Sequence, residues 1–110
     1  MKLSSGIARI PEMLKLGVRV GLAVDGSASN DGSDLLEELR TGFLLHRLNS
    51  SSAAPTGYDM LKIATRGSAS ILGRDDIGQI AEGMAADFFL INMDRLSLTG
   101  AQFDVSSMLG

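Results

Sequence analysis

Residues 18–31 read "VRVGLAVDGSASND". An apolar run, Val18 to Val24, stops at Asp25, and a polar segment rich in Gly and Ser follows. Val18, Val20, Leu22, Ala23 and Val24 are interrupted only by Arg19 and Gly21. That pattern is closer to a continuous run than to strict alternation, as expected of a strand covered on both faces in a parallel sheet. Upstream, "PEMLKLG" (11–17) predicts a short helix with Pro11 in its first turn and Gly17 as its C-cap. A short helix feeding such a strand is half of a β/α unit. The chain is therefore expected to be α/β.

Three readings of Asp25 compete. Asp-Gly between apolar residues is a hairpin signal, yet the residues that follow are polar and then helical. A loop or capping aspartate is the usual fate of an acid after a strand. The third reading is functional, because parallel α/β folds bind ligands at the carboxyl ends of their strands. A carboxylate at that rim can bind a divalent metal and still handle a proton.

Beyond the loop, Asp34 is an expected N-cap, with Glu37 three positions on as a capping-box partner. The helix "LLEELRTGFLLHRL" places Leu36, Leu39, Phe43 and His46 on one stripe. After the linker-like "SSSAAPTG" (50–57), a second helix is predicted from Tyr58 to about Arg66, continuing through further helical turns until Gly73 ends it. Residues 75–92 predict a turn, a short extended piece, a turn at Gly83 and a strand over Ala86–Ile91, with Asp87 in its entry turn. The tail from Asp94 has no clear pattern and is expected to be partly disordered.

Composition narrows the function. Hydrophobic residues make up 45%, enough for a packed core. A net charge of −3 and no dense Lys/Arg cluster give no footprint for nucleic acid or a membrane surface. Aromatics at 5% leave no base-stacking surface. No cysteine means no disulfides or thiolate metal sites, which fits a reducing cytoplasm. No leader or membrane-spanning run is evident.

Four segments in order carry a family resemblance: "GVRVGLAVDGSASND", "DLLEELRTGFLLHRL", "MLKIATRGSASILG" and "IGQIAEGMAADFFLIN". Together they resemble the C-terminal part of the amidohydrolase superfamily, in its deaminase and triazine-hydrolase branch. The resemblance implies a fragment of a metal-dependent (β/α)8 barrel: residues 1–74 the last barrel strand (about 18–24) with surrounding helices, and 75–110 part of a small composite β-domain. It implies hydrolytic deamination of an aminated heterocycle such as guanine, 8-oxoguanine, S-adenosylhomocysteine or a hydroxylated triazine. "VDGSASND" and "LTGAQFD" favour 8-oxoguanine or a related purine. By the same resemblance Asp25 is both catalytic and a metal ligand. It would take a proton from the attacking water and pass it to the departing amine, with Gly26 letting the chain turn away. The implied cofactor is one divalent ion, zinc first and iron second, bound only in the complete chain. Ser27 and Asn30, and Leu3, Ser4 and Gly6 in "LSSGIA", become substrate-side candidates; as loop and capping residues they have ordinary structural readings too.

The pattern also departs from the family. Its His-x-His pair and further histidines are absent, and His46, the one histidine, sits on a helix stripe that suits packing. Zinc draws on about three or four protein ligands, and a complete barrel takes about 250 residues. The expected partners are thus a small heterocyclic substrate and either further copies or the missing N-terminal part of the same protein. Alone, the chain is expected to lack catalysis. The alternative function is a non-catalytic α/β binding or assembly module that keeps only the amidohydrolase tail.

Overall fold

The structure, a computed structural model, describes residues 3–101 and 103–109. Pro11 opens helix α1 (Ile10–Lys15), since its fixed φ suits a first turn and its missing N–H would be unpaired there anyway. Gly17, at φ 71°, closes it, with the Val18 N–H returning to the Met13 carbonyl at 2.9 Å. Helix α2 (Leu35–Ser50) begins as expected on Asp34, whose Oδ1 accepts from the Leu36 N–H at 2.9 Å. Its stripe turns inward, with Leu39 and His46 buried and Leu36 and Phe43 packed against the core.

The third helical stretch starts at Thr56, which forms a reciprocal capping box with Asp59. It runs as α3 (Gly57–Lys62), a π turn (Ile63–Gly67) and α4 (Ser68–Ile71). Gly73 (φ 69°) then ends it, with the Arg74 N–H bonded to the Ala69 carbonyl. The π turn was not legible in the sequence. Its extra residue resets the helical phase, and Thr65 assists by donating its hydroxyl to the Leu61 carbonyl at 2.8 Å.

Neither expected strand forms. Residues 18–24 and 86–91 have no ladder partner among the described residues, and a segment becomes a strand only through such pairing. The first instead lies on the third helical stretch. Val20 is buried there, Leu22 is half-buried, and Val18 and Ala23 remain exposed. A Cβ added at Gly67 would stand 2.1 Å from the Val20 carbonyl oxygen, so only glycine permits this approach. One residue on, the Ser68 hydroxyl accepts from the Leu22 N–H (3.1 Å) and donates to the Leu22 carbonyl (3.2 Å). A side chain thus satisfies backbone groups that a neighbouring strand would otherwise pair.

The described residues of the tail, 94–101 and 103–109, have more structure than their lack of pattern suggests. Rather than trailing off, they make two short 3-10 turns, Leu96–Leu98 and Val105–Leu109. Leu109, 2% exposed, joins Val20, Leu39, Met60 and Ile63 in the core. Partial disorder was expected from the lack of periodicity; the described residues are held by a few burials, and Asp104 fastens the last turn by accepting from Ser106 and Ser107.

Much apolar surface stays uncovered. The chain exposes 8010 Å², where a compact monomer of this length exposes about 5,800 Å². Its radius of gyration, 14.7 Å, exceeds the roughly 13 Å expected for this length. Leu16, Ile80, Phe88, Phe89 and Leu90 all lie open. No helix among the described residues is long and apolar enough to cross a membrane.

Candidate functional site

The run from Val18 delivers Asp25 to the wall of a cavity of about 610 Å³. The turn happens at Asp25 itself. Its φ is 67°, whereas Gly26 is not left-handed, so the expectation that Gly26 supplies the turn is corrected. Aspartate tolerates this conformation better than most residues because its short side chain bonds locally. Here Asp25 Oδ1 accepts from the Gly26 N–H at 2.7 Å. The following loop closes on itself, with the Ser29 and Asn30 N–H groups both donating to the Gly26 carbonyl.

From the other side, Leu3, Ser4 and Gly6 line the same cavity. Ser4 (φ 51°) and Gly6 (φ 89°) are left-handed as well. Three non-glycine residues among those described have positive φ, and two of them, Ser4 and Asp25, face this one space. Backbone strain of this kind concentrates at functional sites. Asn30 also lines the cavity, with Asp31, Glu37, Glu38 and Thr41; Ser27 lies outside the lining. Thus four of the five substrate-side candidates share the cavity with Asp25.

Glu37 was read as the capping-box partner of Asp34, and Glu38 and Thr41 simply as part of the helix, so none of the three was a site candidate. The signal was available: the start of a helix that follows a strand lies at the strand's carboxyl end, where α/β ligands bind.

Four carboxylates line the cavity, yet no group of three His, Cys, Asp or Glu among the described residues could hold a metal ion. Asp25 can offer one carboxylate, and these residues alone do not make a metal centre. His46, the one histidine, is buried on α2 with its Nδ1 unpartnered and is not among the cavity's lining residues. It occupies the packing position expected of it.

Comparison with known proteins sets this geometry in context. The hydroxydechloroatrazine ethylaminohydrolase of Pseudomonas sp. (strain ADP) is 45% identical over 105 residues, which is 93% of this chain and 22% of that enzyme. The 8-oxoguanine deaminase of Pseudomonas aeruginosa is 43% identical over 109 residues, 99% of this chain and 24% of that enzyme. The crystal structure of the atrazine chlorohydrolase from Arthrobacter aurescens TC1, complexed with zinc, superposes with a TM-score of 0.86 at 40% identity. That match covers 94% of this chain and 23% of that one. The chain therefore spans about a quarter of the length of these relatives. Residues 1–108, nearly the whole chain, match the amidohydrolase family, and the chain belongs to that family.

Proposed function

We propose that the chain is the part of a metal-dependent aminohydrolase that supplies Asp25, with residues 1–74 completing a (β/α)8 barrel and 75–110 contributing to a small β-domain. The observation that carries the reading is Asp25 itself, an aspartate held left-handed on the wall of a 610 Å³ cavity. The substrate is an aminated heterocycle, 8-oxoguanine or a related purine first among the candidates, as the deaminase relative supports. Asp25 is one ligand of a divalent metal, zinc before iron, with the remaining ligands outside this chain. When bound, the metal makes water acidic enough to serve as a nucleophile near neutral pH. Asp25 accepts the proton of the attacking water and returns it to the departing amine, acting first as general base and then as general acid. Leu3, Ser4 and Gly6 border the substrate. The remainder of the protein, or further copies of it, covers the exposed apolar faces. Action in the cytoplasm completes the proposal, and the absence of cysteine agrees with it.

The test is ammonia release by the complete protein from 8-oxoguanine, guanine, S-adenosylhomocysteine and a hydroxylated triazine, with wild type beside Asp25→Asn. Turnover of one of these, nearly abolished in a variant that still folds, supports the reading. Equal turnover in both proteins ends the assignment of Asp25. No turnover of any compound, with metal absent from the purified protein, favours the assembly-module alternative.

A further inference from the structure

Both ends of the Asn30 carboxamide are engaged. Its Nδ2 donates to the Val24 carbonyl at 2.9 Å and to Glu38 Oε1 on the first turn of α2. Its Oδ1 accepts from the Gly32 N–H at 3.2 Å. An asparagine has two N–H groups to give, and both are given to this protein, so no donor is left for a substrate. The Glu38 bond involves a carboxylate, which makes it the stronger kind.

What these bonds hold is specific. The Val24 carbonyl belongs to the peptide plane whose other end is the Asp25 nitrogen. Asp25 φ is rotation about the bond that leaves that nitrogen, so fixing the plane fixes the reference from which the 67° is set. The left-handed conformer is disfavoured for an L-residue, and aspartate offsets only part of that through its local side-chain bond. Among the described residues, the Asp25 side chain accepts only a local bond, from the Gly26 N–H. Without an external tether the backbone would relax toward negative φ and swing the carboxylate off the cavity wall. Glu38 gives the tether a rigid anchor, because it sits on a sixteen-residue helix seated in the core through Leu39.

We propose that Asn30 and Glu38 form a brace that holds Asp25 in its left-handed, cavity-facing conformation, making both of them positioning residues. This rests on the role proposed above for Asp25. It also replaces substrate contact as the reading of Asn30.

The experiment uses the complete, metal-loaded protein and the substrate panel above, with activity normalised to bound metal. Asn30→Ala is expected to lower kcat by about a hundredfold, the order expected for a 1 Å misplacement of a reacting group, with little change in KM. Glu38→Ala is expected to follow it, while Glu38→Gln, whose amide oxygen still accepts from Asn30, recovers most of the loss. A crystal structure of Asn30→Ala should show Asp25 out of the positive-φ region. A raised KM with unchanged kcat would return Asn30 to substrate contact and overturn the brace. So would Asp25 remaining left-handed in Asn30→Ala, or Glu38→Gln being as impaired as Glu38→Ala. If Asn30→Ala does not accumulate, the two Glu38 variants decide the matter alone. Asp25→Asn, measured in parallel, separates the two readings: if it is active the parent assignment falls, and if it is dead while Asn30→Ala is normal, only the brace falls.

Discussion

Replacing Gly67 with alanine probes the contact that seats the third helical stretch on the segment carrying Asp25. The added Cβ would stand 2.1 Å from the Val20 carbonyl oxygen, whereas ordinary contact begins at 3.4 Å. Backbone meets backbone there, so no side chain can swing aside, and the helix and segment must part by roughly 1 Å, an overpacking that costs about 1–3 kcal/mol. That movement stretches the two Ser68–Leu22 bonds, now 3.1 and 3.2 Å, out of hydrogen-bonding range. Each is worth about 0.5–1.5 kcal/mol. Alanine's better helix propensity returns about 1 kcal/mol. The balance is a destabilisation of about 3 kcal/mol. The assay is urea denaturation of the complete protein followed by far-ultraviolet circular dichroism. Hydrogen exchange of peptides covering residues 18–25 and 57–72 would locate the loss. Helix propensity alone predicts the opposite sign, so a Gly67→Ala protein as stable as wild type, or more so, would refute the argument.

Further outcomes follow from the same contacts. Gly42→Ala should stabilise by about 0.5–1 kcal/mol, because its Cβ meets only the flexible end of Met60, at 2.8 Å; a lower denaturation midpoint would contradict this. Asp25→Gly should abolish turnover while changing the stability of the metal-free protein by less than about 1 kcal/mol, since the relieved left-handed backbone is offset by glycine's greater unfolded-state entropy and the lost Gly26 bond. Calorimetry of the metal-free forms checks it.

Acid should weaken the α3 cap. A hydrogen bond from Lys62, then those from the Thr56 side chain and backbone, lower the Asp59 carboxyl from its ordinary 3.8 to about 2. A lowered carboxyl stabilises the fold above its unfolded value, and that stability is lost as pH falls through the folded value. Asp59 is 39% exposed, so solvent screening limits the contribution to about 1 kcal/mol or less. The denaturation gap between wild type and Asp59→Asn should therefore be constant near neutrality and shrink once pH drops below 3.8 toward 2.

The helices were legible because their signals are local. Pro11, Asp34, Gly17 and Gly73 sit at or beside helix ends, and the stripe of α2 predicts which side is buried, whereas Thr56, read as linker, proves to cap α3. Strand status was not legible from Val18–Val24, since it depends on partners elsewhere and sequence reports only the apolar run. The tail was not legible for a related reason: Leu109 and Ser106 matter through contacts with the core and with Gly57, and neither leaves a periodic trace. At the site, residue types were readable and conformation was not. Nothing in "VDGS" says that aspartate rather than glycine takes the positive φ. Nor could Asn30 be paired with Glu38 without knowing that the loop folds back over the start of α2.

The left-handed backbone at Asp25 also bears on how such a gene can decay. From either aspartate codon, one base change reaches asparagine, histidine, tyrosine, valine, alanine, glycine or glutamate. Glycine is most at ease with that backbone, followed by asparagine and histidine. Any other change leaves a strained chain that cellular quality control can remove. A glycine codon yields a product that folds about as well and has no carboxylate. Selection on folding would pass that allele unnoticed, so on the role proposed for Asp25 a lineage released from that chemistry has a one-base route to a durable, inactive descendant.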